Sequence, residues 1–398
     1  MFGFDGTTPY RFAGAGLLLS LVVALGCDDT NRSPTAVPEI GEVAAAATMD
    51  PGPYELSPAV FDIAAMPDGS ILLAENTSLK EIRKGNVSEV IGIPTVPGSP
   101  VNGLEAVGRG SFFATSGGLD LAVGAGVWHV SRGRVELIGD IEAFETANDP
   151  DAFEGPQWKT PACEIPGGFS AGPQSNPYHL ARLTGGTVLV ADAAGNTVLS
   201  ARTNGEVDWV AVLTPPTPAG SSSSDPSDWL VQFPLDADTD CYVQPVPTSV
   251  AVGPDGAYYV GELTGVTLEE LTGGTTTGLS RVWRIASGSR NVVCPSAECE
   301  QVLSGFTSII DVAFGPDGRL YVVEYDENGW WGATVVGAPA GGTISACDVD
   351  GGSCEIVAAN LGLPSAITFD TWGDLWVLEN NIGLPFVGTG APTVRRLD

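Results

Sequence analysis

The 398 residues carry 48 acidic against 17 basic side chains, a formal net charge of −31 at pH 7 and a pI near 4.1. That balance excludes a nucleic-acid backbone as partner, because such binding starts from clustered Lys and Arg that displace counterions, and it excludes docking of a basic face on anionic lipid. With 43% hydrophobic residues the chain can bury its own core, and 52 glycines and 30 prolines without a three-residue period point to an all-β, turn-rich fold.

Arg11 is followed by an apolar run from Phe12 to Gly26, shorter than the ~20 residues of a spanning helix. Residues 1–26 therefore read as a signal peptide. The junction of Gly26 and Cys27, followed by Asp28, Asp29 and Thr30, resembles a bacterial lipoprotein cleavage box, which implies a lipid on Cys27 and a place in the cell envelope, periplasmic or extracellular. Residues 27–38 are then a tether and residues 39–398 the folded domain. Six cysteines remain, and an even number in an exported chain suggests disulfides. Spacing pairs Cys294 with Cys299 and Cys347 with Cys354 as bridged hairpins, and zinc is disfavoured by a chain with two histidines and no two-residue cysteine spacing.

Along the chain, six thirteen-residue segments align without a gap, starting at Ile63, Leu104, Leu180, Val250, Val312 and Ile367. Each has glycine in seventh place: Gly69, Gly110, Gly186, Gly256, Gly318 and Gly373. An apolar strand, a Pro-Asp-Gly type of turn and a second strand make a tight hairpin. Third and fourth strands follow most of them, such as Arg281–Ile285 or Arg134–Ile138. Six open sheets would each expose edges and faces, whereas a radial arrangement buries both faces, so the expectation is a six-bladed β-propeller of four-stranded antiparallel blades. If the first strand of each blade runs from a top face to a bottom face, the long insertions 139–174, 213–246, 264–280, 325–342 and 380–392 all fall on the top. Loops crowded on one face of a rigid scaffold are the usual seat of binding. Cys163 and Cys241 lie in two of these insertions and are the remaining pair.

The last position of the repeat is acidic in five copies, Glu75, Asp192, Glu262, Glu324 and Glu379, and each is expected to tie its blade's loops by accepting backbone N–H bonds. The residue before each repeat opens the strand nearest the central channel: Asp62, Gly103, His179, Ser249, Asp311 and Ala366, with Asn102 and Asn176 close by. Of these, Asp62, Asn102, Asn176, His179, Asp311, Glu262 and Glu324 are the candidates for ligand binding. Asp236, Asp238 and Asp240 have part of a calcium-loop spacing but lack its glycine and glutamate. No nucleophile elbow, zinc-protease pair, phosphate loop or dinucleotide fingerprint is present. His129 reads as an ordinary strand residue. The last blade runs out of chain after Thr393–Leu397, so an N-terminal segment, Glu39 to Met49, is expected to supply its outer strand.

The segments Ser175 to Ala193, Val246 to Gly265 and Phe306 to Glu324 resemble the ScyD/ScyE family of exported bacterial proteins, named from gene clusters for the pigment scytonemin and similar to NHL-type propellers. The resemblance covers residues 55 to 398 and implies the propeller, but no established reaction. Six-bladed calcium-dependent lactonases hold their metal at such channel positions. The alternative to a monomeric propeller without cofactor, binding a small molecule or protein on its top face, is therefore a lactonase-like hydrolase with calcium near Asp62, Asn102, His179 and Asp311. The even spread of carboxylates along the chain points to solubility rather than to a basic ligand.

Overall fold

The computed structural model describes residues 52–56, 60–117, 123–152, 173–221, 225–234, 240–380 and 391–397. All six repeat glycines have positive φ, between 72° and 90°, where a side chain would be strained, so each repeat does turn at the position its glycine marks. Strand-turn-strand then continues to four antiparallel strands per blade. Blade one is Val60–Ala65, Ile71–Glu75, Ser78–Arg83 and Asn86–Gly92; blade two is Val101–Gly108, Ser111–Ser116, Gly126–Ser131 and Arg134–Asp140. Blade three is Pro177–Arg182, Thr187–Asp192, Thr197–Arg202 and Val207–Val212; blade four is Pro247–Val252, Tyr258–Glu262, Ser280–Ile285 and Cys299–Phe306. Blade five is Ile309–Phe314, Leu320–Glu324, Gly342–Asp348 and Ser353–Leu361; blade six holds Ala366–Phe369, Leu375–Glu379 and Thr393–Arg396. The first strands of neighbouring blades touch in a closed ring, that of blade six against that of blade one.

Burial follows from this order. First and second strands are buried along almost their whole length, while outer strands such as Asn86–Gly92 and Ser353–Leu361 are largely exposed. The core lies between blades and includes fully buried Ile63, Leu73, Leu104, Trp283 and Trp376, each large apolar side chain contributing about 1.5–3 kcal/mol.

The ring closes through the N-terminus, but with a different segment from the one expected. Tyr54–Glu55 pairs antiparallel with Val394 and Thr393, and Leu56 N donates to Pro392 O at 2.9 Å. Two residues suffice because the edge of Thr393–Arg396 is short. Glu39 to Met49 lies outside the described residues, as do Cys27 and Cys163. A second departure is a strand that leaves its own blade: Val292–Val293, from the bottom loop of blade four, adds in parallel to Ala211 and Val212 of blade three.

Cys294–Cys299 fastens that bottom loop, and Cys347–Cys354 bridges a directly paired position of blade five's outer hairpin. Cys241 is also disulfide-bonded. These bridges indicate an oxidising, extracytoplasmic compartment. Among the described residues no helix is long and apolar enough to cross a membrane.

Candidate functional site

In five blades the first strand carries an irregularity just above its channel residue, at Val60/Asp62, Val101/Gly103, Pro177/Leu180, Pro247/Ser249 and Ile309/Asp311. Such a bulge re-aims a side chain. Here it serves bonds between neighbouring blades. Ser249 Oγ accepts from Val312 N at 3.0 Å and Asp311 Oδ2 accepts from Ile367 N at 2.8 Å, while Asp62 accepts from Ile63 N of its own strand. Thr115 Oγ1 donates to Tyr178 O at 2.7 Å and Thr248 Oγ1 to Ile309 O at 2.8 Å, two stitches with no sequence signal beyond the repeat itself.

His179 Nε2 lies 3.3 Å from Asp311 Oδ1, which also accepts from Ser249 Oγ at 3.0 Å. The three residues are at most 3% exposed. This array is not a nucleophilic triad: the serine gives its proton to the carboxylate, and the imidazole reaches the carboxylate rather than the serine. Burial raises the Asp311 carboxyl to about 7, and it raises Asp62 well above the carboxylate range, with the charge of Asp311 adding to the effect. As calcium ligands the channel groups fit poorly. Asp62 Oδ2 and Asn102 Oδ1 are buried without partners, but Asp311 has both oxygens engaged, and two free protein oxygens fall far short of the six to eight of a calcium shell. Asn102 Nδ2 donates to Asn176 Oδ1 and to Pro177 O, both at 3.1 Å, joining blade two to blade three.

The carboxylates at the end of the second strands hold the top loops. Asp192 Oδ1 accepts from Asn176 N at 2.7 Å, and from Ala194 N and Gly195 N; Glu324 accepts from Thr307 N at 2.6 Å. Burial raises Asp192 to about 6 and Glu324 to about 7. The other three neutralise the bases of the upper strands: Glu75 with Lys80 at 2.7 Å, Glu262 with Arg281, and Glu379 with Arg395. His129 stacks on Phe113 with centroids 4.6 Å apart, a strand residue as expected.

The fold separates charges that the sequence mixes. Described loops on the top face contain carboxylates, among them Glu142, Asp228, Glu269 and Glu327, and no lysine, arginine or histidine. Lys84, Arg109, Arg132, Arg290 and Arg319 all sit in bottom turns. The short top-face helices α1 (Ile141–Asn148), α2 (Leu268–Leu271) and α3 (Gly329–Thr334) are built from these insertions. Between α2 and α3 lies a small recess with room for about one water molecule, lined by Thr264, Glu270, Thr276, Ser280, Ser308 and Trp330. Sequence reading passed over this recess and also over Glu145, Asp149 and Asp151, an acidic group behind α1 with a Glu-x3-Asp-x-Asp spacing.

No family model matches the chain and no curated protein does, so the ScyD/ScyE resemblance is not confirmed. Among solved structures, a protein named an oxidoreductase (glucose dehydrogenase) from Thermus thermophilus is 16% identical, covers 86% of this chain and 98% of its own, and superposes with a TM-score of 0.50. The calcium-binding protein regucalcin from Agrobacterium tumefaciens is 12% identical over 87% of this chain and 91% of its own, at 0.47. A gluconolactonase from Xanthomonas campestris is 12% identical over 86% and 88%, at 0.48. At these identities the likeness speaks to the propeller fold alone.

Proposed function

We propose that this protein is an exported, lipid-anchored propeller that binds a cationic or neutral, hydroxyl-rich ligand or partner on its top face and uses its channel to hold the blades together. The carrying observation is the sorting of charge: the three upper-strand bases are each paired to a carboxylate of their own blade, and the described top loops offer carboxylates and hydroxyls without a free cation. Such a face repels phosphate and sulfate and attracts ammonium or guanidinium groups. Hydroxyls and the raised carboxyl of Glu270 line the small recess between α2 and α3, polar groups of the kind that either ligand class would meet on this face. Disulfides on the bottom face support export, and Cys27 would carry the anchor.

The test is binding of an octalysine peptide, a neutral oligosaccharide panel and heparin to the full chain, compared with Asp228→Lys/Glu269→Lys/Glu327→Lys. Octalysine or a neutral sugar should bind, heparin should not, and the triple substitution should abolish octalysine binding. Equal octalysine binding by the triple variant would overturn the reading. A lactonase reading keeps one favourable observation, the unpartnered oxygens of Asp62 and Asn102. Calcium-dependent lactone hydrolysis lost in Asp62→Asn, at unchanged octalysine binding, would favour it.

A further inference from the structure

We propose a resident calcium ion on the top face, held behind helix α1 by Glu145, Asp149 and Asp151, with Asp192 beside them. It is part of the fold rather than the ligand considered above, and stands independently of that reading.

Local sequence builds the site. Asp140 caps α1 by accepting from Ala143 N at 2.9 Å, and the helix ends at Asp149, whose left-handed backbone (φ 41°, ψ 68°) sends its N–H to Glu145 O at 2.9 Å. That reversal carries Asp149 and Asp151 back beside Glu145, one helical turn earlier. One oxygen from each carboxylate lies within 4.8 Å of the others. Two oxygens on opposite sides of a calcium ion are about 4.6–5.2 Å apart, whereas magnesium draws them to about 4.0–4.2 Å. All donors are hard oxygens, which disfavours zinc and copper.

Three further observations come from outside this trio's spacing. Glu145 is 1% exposed and neither of its carboxylate oxygens has a hydrogen-bond partner. Asp192 reaches the same region from the end of blade three's second strand: it is fully buried, its charge acts on Glu145, and Oδ2 has no partner although Oδ1 has several. Thr197 Oγ1 is buried and unpartnered too, and a methyl group placed on Gly195 would lie 3.0 Å from Glu145 Oε1 and 3.2 Å from Thr197 Oγ1, so these oxygens border one small space. Four carboxylates thus share this buried region, and no cationic side chain among the described residues acts on Glu145. A single proton would neutralise one of the four carboxylates; a divalent ion compensates two and gives the unpartnered oxygens something to bind.

The ion would also connect the two insertions beside blade three. Asn196 Nδ2 donates to Asp151 Oδ2 at 2.7 Å and to Gln244 Oε1, and Asn196 Oδ1 accepts from Val246 N at 3.2 Å. Gln244 lies three residues from the disulfide-bonded Cys241, so calcium and that bridge would secure neighbouring loops.

The experiment is calorimetric titration of the full chain, first freed of metal with EDTA, using calcium chloride and, separately, magnesium chloride. One calcium per chain should bind, magnesium more weakly, with a rise in thermal midpoint on calcium. Glu145→Gln should weaken calcium by roughly tenfold or more, and the bottom-face control Glu300→Gln should not. Should Glu145→Gln fail to fold, the half-buried Asp149→Asn is read in its place. Absence of calcium heat and of any midpoint shift at millimolar calcium in the wild type would overturn the proposal. So would a protonated-carboxyl infrared band that persists with calcium present and disappears in Glu145→Gln.

Discussion

Arg281→Met is the sharpest test of how the top face is held. Glu262 is fully buried at the end of blade four's second strand and takes two bonds from the Arg281 guanidinium, one of them Nη2 to Oε2 at 3.0 Å, and one from Trp283 Nε1 at 2.8 Å. Arg281 itself lies over the Trp283 ring, 4.7 Å from its centroid, and donates to Thr214 O at 2.9 Å, tying blade four to the insertion that follows blade three. Methionine keeps much of the apolar stem and removes the charge. Glu262 is then a buried carboxylate with its ion-pair partner gone, and breaking such a pair from one side costs about 3–5 kcal/mol. Urea unfolding at pH 7 with disulfides intact should show that loss, and Arg281→Met/Glu262→Leu should recover most of it, because the second substitution removes the stranded charge. Burial already raises the Glu262 carboxyl despite Arg281, so the deficit of the single variant should shrink on acidification as Glu262 takes up a proton. A loss below about 1 kcal/mol in the single variant, or a double variant no more stable than the single, would refute a desolvated pair at this position.

Asp311 predicts a second pH effect: its native value of about 7 lies above the unfolded 3.8, so the native state alone holds the proton between them, and this group's contribution is full below pH 3.8 and lost as pH rises to 7. The loss is at most about 4 kcal/mol, and Asp311→Asn, which still faces His179 and Asp62, should flatten thermal stability over pH 4–8; profiles that stay parallel would contradict it. A chain starting at residue 57 should melt several degrees below one starting at residue 51, since only the first lacks the closing pair of Tyr54–Glu55 with Thr393 and Val394, and equal midpoints would show closure elsewhere. Cys294→Ser/Cys299→Ser should cost about 2 kcal/mol for so short a loop and raise hydrogen exchange at Val292–Val293 and their partners Ala211–Val212; unchanged exchange there would show that the bridge does not hold the added strand.

What was legible in the sequence is what repeats. The glycine at seventh place forces the same turn six times, and counting strands from those turns assigns five long insertions to the top face, whereas the loop 286–298 of blade four falls on the bottom. Tyr54–Glu55 was not legible because two residues carry no periodicity, and Val292–Val293 because its partner lies in another blade. Charge misled for a related reason: carboxylates spread evenly along the chain gave no block to notice, yet alternate turns belong to opposite faces, so bases at Lys84, Arg109, Arg132 and Arg319 collect below while the described top loops have none. The channel candidates Asp62, His179 and Asp311 do meet around the axis, but a sequence does not reveal that neighbouring strands already use most of their oxygens. Asp149 and Asp151 come back beside Glu145 only because a helix ends in a left-handed turn, and Asp192 joins them from a strand more than forty residues away.

The central claim is that recognition belongs to the top loops and the channel is scaffold. Hydrogen–deuterium exchange of the full chain with and without saturating octalysine tests it most directly. The account predicts protection in peptides covering residues 225–234, 263–279 and 325–341, with none in the bottom turns at residues 84–85, 132–133 and 315–319. Protection spread evenly over the surface, or concentrated in those bottom turns, would contradict it.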